Sequence, residues 1–414
     1  MATTAVARTG SGAWVKIAFA MFAVGWGANQ FSPMLIVYRH ELRLGAGAVA
    51  GLFLVYALTL IPGRPPTVSG AAPWCSPSWH SRRWRRCCWC WGPRSLALIS
   101  AGRALAGLCS GVVFGSATAW VQELSHGTGQ SARRAALALT AGFGLGPAVA
   151  AVLAQWAPDP LVVPYLPHLV IGVAAAIMIW RAPEGARQPL ARSVREARRW
   201  PPEAVRTWRF WLAVAPASPM VFGSVSLAIV VLPEDVTSAG TLSAGFAGLM
   251  TALAFSAGVG IQPVARRLGN PLAGIVAGLC CAAAGAGTAV AAVAGADRVL
   301  AGVSAVLLGL AYGLCLVSGL RQAEQMAEPG QRGAVVACYY ALAYLGFAAP
   351  YLAAGLGAVA GQAGAFGVLA GIAVVIAAWT SAYGLRLGRA ARASADQPAR
   401  AGRTSPCLEH SEAS

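Results

Sequence analysis

The chain has 414 residues, 57% of them hydrophobic and only 11% charged. A soluble domain carries about 25% charged residues, so this sequence cannot cover a water-facing surface and needs lipid around it. The net charge of +17 lies in short clusters between apolar runs. That is the pattern of loops in a polytopic membrane protein, not of a nucleic-acid-binding surface.

An apolar helix needs about 20 residues to cross the hydrocarbon core. Candidate spans fall at 13–37, 48–63, 96–121, 135–156, 163–181, 209–233, 243–265, 271–294, 298–320, 335–359 and 363–385. Eleven are clear, and residues 64–93 interrupt the series where a third of twelve is expected. No cleaved leader is expected, because the first apolar stretch is too long for an h-region and lacks a clear cleavage site. The 49 glycines suit close helix packing in a bilayer, and most of the ten cysteines sit inside apolar runs or in the 64–93 segment, so no disulfide framework is expected.

The stretch 182–208 holds Arg187, Arg192, Arg195, Arg198, Arg199 and Arg206 and divides the chain into similar halves. The expected domains are a six-helix half at 1–181, a basic linker at 182–208, a second six-helix half at 209–386 and a disordered tail at 387–414. Six spans, a linker and six spans is the pattern of parallel repeats. The positive-inside rule puts Arg133, Arg134, the linker, Arg266, Arg267, Arg321, Arg332 and both termini on the cytoplasmic side. It leaves Asp159, Glu234, Asp235 and Asp297 outside. This orientation requires an even number of spans before Arg133, and hence a third span between 64 and 95.

Residues 64–93 cannot supply that span as written. They hold five of the 14 tryptophans and four of the ten cysteines, together with Arg82, Arg83, Arg85 and Arg86. Each arginine at a helix centre costs roughly 2.5–3.5 kcal/mol. A metal site from Cys75, His80, Cys87, Cys88 and Cys90 is disfavoured, since CCWC matches no paired-ligand zinc spacing; no metal is expected. Tryptophan, cysteine, arginine and proline are what GC-rich codons give when read out of frame. Shifting by two bases, with GC-rich wobble choices, turns Pro65–Gly92 into AADRLGRRAVVLPVLALAALAALLLVLG. That is a basic loop and an apolar span in register with the helix that follows. The segment is therefore read as bounded by two compensating frameshifts.

Several residues inside the spans are candidates for function. Arg103 lies about a third of the way into the fourth span, and a buried ionisable residue in lipid is a functional candidate by default; snorkelling to the interface is the competing reading. The first span carries Trp26, Asn29 and Gln30 at mid-depth, where amides either line a polar cavity or hydrogen-bond across helices. Near the end of the eleventh-span motif YYALAYLGFAAP, Tyr340, Tyr344 and Phe347 share one helical face, which serves packing or a cavity for a flat or lipophilic molecule. No carboxylate lies clearly inside a span, which weakens a proton-coupled reading. No Ser/His/Asp or metal-ligand constellation supports an enzyme.

Twelve spans in two halves, with the restored D-R-x-G-R-R loop after the second span, resemble the major facilitator superfamily. GRALAGLCSG, with Arg103, Gly107 and Gly111, is similar to that family's R-x-x-x-G element. GLGPAVAA, with Gly144, Gly146 and Pro147, is similar to the motif of its antiporter branches. QPVARRLG, with Arg266 and Arg267, resembles a second copy of the loop motif. The resemblance implies an all-α polytopic protein of two six-helix bundles in the cytoplasmic membrane. It implies a secondary transporter that exports a small amphipathic molecule by alternating access, with no cofactor. Its partners would be the lipid bilayer and a small-molecule substrate, with protons as a candidate coupling ion and no nucleic acid. Arg103 would serve in coupling or in charge pairing with substrate. A ligand sensor without transport and a transporter disabled by the frameshifts are the alternatives. Nucleotide sequencing across codons 55–100 is expected to show GC-rich wobble bases that restore the shifted frame; AT-rich wobble bases there would sink the frameshift reading.

Overall fold

The computed structural model describes residues 13–60, 95–124, 131–181, 201–236, 243–328 and 331–401. Among them every regular element is a helix. Spans keep their numbers from the sequence reading. The third is assigned to 64–93, which lies outside the described residues together with the disfavoured metal ligands and the restored loop.

Among the described residues, six helical stretches are long and apolar enough to cross a bilayer, the last of them running through residues 334–386. That last stretch is two spans. At Gly361 the backbone takes φ of 74°, on the left-handed side that glycine adopts without a Cβ clash. The chain then returns antiparallel to span nine (Pro271–Gly295): Gly384 lies near Leu272, and Gly367 near Val290 at the other end. The expected break between 335–359 and 363–385 is thus made by one glycine.

Spans one, seven and eleven do not run as single helices, and a proline explains each interruption. Proline has no N–H, so it removes the bond to the carbonyl four residues earlier. Span one breaks at Gln30 between Ala13–Asn29 and Phe31–Glu41, and Pro33 deprives the Asn29 carbonyl. Span seven passes from Met220–Ser226 into a π turn at Leu227–Val231, and Pro233 deprives Ile229. Span eleven tightens into a 3-10 turn at Leu345–Ala348 after Arg332–Tyr344, and Pro350 deprives Gly346. By contrast, span five is one helix, Ser131–Trp156, with Pro147 inside it.

Small residues set how close the remaining spans lie. A methyl on Gly107 or Gly111 of span four would strike the backbone or Thr59 of span two (Ala46–Leu60), and one on Gly146 would come within 2.6 Å of the Trp26 carbonyl in span one. Gly142 meets span one in the same way, at the Phe22 carbonyl, whereas Gly144 turns to Phe255 of span eight. Gly142 and Gly146 thus hold span five against span one. Spans six and twelve present apolar side chains outward, among them Val170, Ile177, Val375 and Trp379, as lipid-facing helices must.

The expected boundaries shift at three places. Helix begins at Glu203, inside the expected 182–208 linker, and Phe210 just beyond it is fully buried. The final helix continues to Ala401, past the expected start of a disordered tail at 387; alanine and arginine, both strong helix formers, dominate that stretch. Span ten also runs to Met326, beyond its expected end at 320, because LRQAEQM keeps helix propensity after hydropathy falls.

Backbone proximity gives a direct test of this packing. Gly309 of span ten lies against the Ala254 carbonyl of span eight, whereas Gly287 of span nine has open space around it. Gly309→Ala is expected to lower stability by about 1–3 kcal/mol through overpacking. Gly287→Ala is expected to leave the melting temperature unchanged or slightly raised. Equal melting of the two purified variants would contradict the packing of span eight on span ten.

Candidate functional site

The irregular segments of spans one, seven and eleven meet in a closed circuit of side chains through the centre of the molecule. In span eleven, Tyr340, Tyr344 and Phe347 stack in a row, with centroid separations of 6.0 and 6.2 Å. Phe347 stacks on Phe222 of span seven at 4.6 Å. Phe222 leads to Tyr312 of span ten at 6.0 Å, Tyr312 to Phe255 of span eight at 5.7 Å, and Phe255 to Phe143 of span five at 6.1 Å. On its other side Phe347 meets Phe53 and Tyr56 of span two edge-on, at 5.6 and 6.0 Å. Such offset and edge-to-face pairs each contribute about 0.5–1.5 kcal/mol beyond burial.

Arg103 continues the circuit from span two to span one. Its side chain is fully buried, and its guanidinium carbon sits 4.2 Å from the ring centres of both Phe31 and Tyr56. One terminal nitrogen, Nη1, donates to the Ala28 carbonyl at 3.3 Å. The arginine does not snorkel; aromatic faces take the place of water, each worth up to about 2 kcal/mol when desolvated. Burying an ion costs several kcal/mol even after relaxation, so the cage offsets only part of that cost. Nε and Nη2 have no hydrogen-bond partner.

Asn29 closes the circuit. Its Nδ2 donates to the Phe143 carbonyl across spans one and five, a long hydrogen bond of 3.4 Å. That carbonyl is the one Pro147 leaves without its helical donor, because residue 147 has no N–H to give back four positions. An amide from a neighbouring helix replaces it, which is how a proline is accommodated inside an apolar bundle. Asn29 thus bridges spans one and five.

The other expected residues fall in three places. Gln30 is buried beside the break in span one with no donor on its Oε1, and Trp26 is buried against span five, its backbone meeting Gly146. Arg266 and Arg267 are exposed at the end of span eight. The arginine that organises that end is Arg321 of span ten, whose Nη1 lies 3.1, 3.2 and 2.9 Å from the carbonyls of Ala265, Arg266 and Leu268. It caps the helix terminus, where a cation suits the unsatisfied carbonyls. At the opposite face Arg39 of span one pairs with Glu234 of span seven, joining the two sides of the circuit. Burial pushes the neighbouring Asp235 carboxyl up to about 6, with Arg39 acting to lower it.

Sequence reasoning did not single out Phe53, Tyr56, Phe143, Phe222, Phe255 or Tyr312. Aromatic residues in apolar spans are common, and nothing in their spacing tells a residue facing the centre from one facing lipid. The i+4 relation between Phe143 and Pro147 was the one usable signal, since it marks a carbonyl that needs a donor.

A sequence profile described as Major Facilitator Superfamily matches residues 86–346. No curated protein matches the sequence significantly. Among solved structures, the chain is similar to a POT family transporter in complex with a thioalcohol-conjugated peptide. That match has a TM-score of 0.66 and 13% identity, over 90% of this chain and 96% of that one. It is also similar to the nucleoside transporter NupG, with a TM-score of 0.64 and 11% identity over 89% of this chain and 98% of that one. A bacterial homologue of the human lysosomal transporter Spinster, inward-facing and occupied, matches with a TM-score of 0.60 and 11% identity over 89% and 95% of the two chains.

The Asn29 bridge makes a coupled prediction. Asn29→Leu removes the bond to the Phe143 carbonyl and should destabilise by about 0.5–1.5 kcal/mol. In a Pro147→Ala background, where the helical donor returns, the same change should cost little. Melting of the four proteins of the cycle reads the coupling, and strict additivity would show that the amide does not replace the missing N–H.

Proposed function

The chain belongs to the major facilitator superfamily, a family of membrane transporters, and we propose that it exports a small amphipathic molecule across the cytoplasmic membrane. In this reading the halves 1–181 and 209–386 rock about the central circuit, with 182–208 joining them on the cytoplasmic side. The termini lie on that same side, as the arginine distribution requires.

The observation that carries the reading is the circuit itself: aromatic faces from spans two, five, seven, eight, ten and eleven, with a buried arginine, meet at the level where three helices lose regular hydrogen bonding. Discontinuous helices at mid-depth are where secondary transporters hold substrate. The apolar, flat-faced character supports an amphipathic cargo. The span-five motif, with Gly144, Gly146 and Pro147, supports export by its resemblance to antiporter branches. Protons remain the candidate coupling ion through that resemblance, although no span carries an acid to relay them.

The Arg/Trp/Cys segment at 64–93 favours a second reading, that the chain as written is inactive and only its frame-restored counterpart transports. The test expresses both forms in cells loaded with a flat amphipathic dye. Restored protein should lower steady-state dye content several-fold in energised cells, reversed by collapse of the proton gradient, while the chain as written should not. Unchanged dye content with restored protein present in the membrane, or dye accumulation in place of loss, would reject export.

A further inference from the structure

Among the described residues no carboxylate pairs with Arg103. The sequence has 14 carboxylates. Glu41, Glu123, Glu234, Asp235, Glu324 and Glu328 stand at or beyond span ends; Asp159 and Asp297 stand in short connections. The remaining six, Glu184, Glu196, Glu203, Asp396, Glu409 and Glu412, fall in the linker or after residue 386. Arg103 lies seven residues into a helix that starts at Leu96, about 10 Å along the helix axis at 1.5 Å per residue. It is fully buried there.

The guanidinium also has a free recognition edge. Its two faces are covered by Phe31 and Tyr56, and Nη1 is used on the Ala28 carbonyl. The two nitrogens with no partner are Nε and Nη2, the pair whose N–H bonds run parallel along one side of the guanidinium. That side is the fork that binds a carboxylate through two hydrogen bonds. A neutral acceptor satisfies one arm of it and leaves the charge unbalanced; a planar oxyanion satisfies both arms and the charge together. Beyond the cage, Tyr56 and Phe53 lead to Phe347 and Phe222, faces suited to a flat apolar body.

We infer that Arg103 and the aromatic circuit form the binding site for a singly charged organic anion, an aromatic carboxylate, which supplies the counter-charge that the chain lacks. The inference rests on the transporter reading and names its cargo class. Cationic amphiphiles are disfavoured, because they would meet the buried guanidinium, while Glu324, whose charge reaches Tyr340, stands at the end of span ten. One buried cation limits the anion to a single charge. The cage closes over Arg103 in this conformation, so the carboxylate enters when the halves part.

The test measures equilibrium binding of three probes of one shape, 2-naphthoate, 2-naphthamide and 2-naphthylmethylammonium, to the purified full chain, as written and with the frame restored, in zwitterionic lipid nanodiscs. Naphthoate should bind at least about ten-fold tighter than the amide, a difference of about 1.4 kcal/mol, and the ammonium probe should not bind. Arg103→Met should cut the preference for naphthoate to within about two-fold, weakening naphthamide far less than naphthoate, and should leave the chain folded, since an apolar side chain of similar length replaces an uncompensated ion. Arg103→Lys, which keeps charge without the fork, should retain only part of the preference. Phe347→Leu should weaken naphthoate and naphthamide alike and preserve their ratio, giving an independent readout if the arginine variants fail to fold. Equal affinity for the three probes, or a naphthoate preference that survives Arg103→Met or is matched by 0.1 M chloride competition, overturns the inference. Naphthoate binding without uptake or export in proteoliposomes would reject the transport reading and leave the site standing.

Discussion

A backbone carbonyl inside a bilayer must find a hydrogen-bond donor, because no water is there to supply one. Prolines at 33, 147, 233 and 350 each remove a donor from the carbonyl four residues earlier. The local solutions differ. Span five stays helical through Pro147 because Asn29 reaches across to the Phe143 carbonyl. Span seven opens into a π turn and span eleven tightens to a 3-10 turn, and span one breaks at Gln30. The central circuit forms where these disturbances coincide, since irregular backbone is tolerated only where protein or a cavity surrounds it.

Charge follows the same economy of solvation. Lys16 donates to the Arg181 carbonyl at the end of span six, Arg321 caps the end of span eight, and Arg39 pairs with Glu234 at the opposite face. Each of these ions sits where a helix stops, so each finds carbonyls, a partner or water. Arg103 does none of this. Its solvation comes from aromatic faces and one carbonyl, which leaves a strong, directional electrostatic demand at the point where the two sides of the molecule meet.

Close packing is carried by small residues both within and between the sides. Gly107, Gly111, Gly142 and Gly146 hold spans of one side in backbone contact, a geometry that resists sliding. Contacts between the sides include ring pairs, Phe143 with Phe255 and Phe347 with Phe53 and Tyr56, the Arg39–Glu234 pair, and a close approach of span eight to span five, where Gly248 meets Ala151 and the Gly245 N–H donates to Gln155 Oε1 at 3.2 Å.

Much of the architecture is legible in the chain alone, because a helix surrounded by lipid needs a long apolar run whatever its neighbours do. Composition named the solvent, hydropathy located the described spans to within a few residues, and Gly361 falls in the gap left between the last two. Arg103 stood out for the same reason, as an ion where lipid tolerates few. Helix past Ala390 and before Trp208 was missed because hydropathy marks the membrane, not the helix. The partners of Arg103 and the identity of the circuit were decided only by tertiary structure. Phe222, Tyr312 and Phe255 read like any aromatic residue in an apolar span, since hydropathy along a membrane helix has no polar face to reveal its orientation. Which ring meets which depends on how the described helices pack, and one-dimensional pattern carries no record of that.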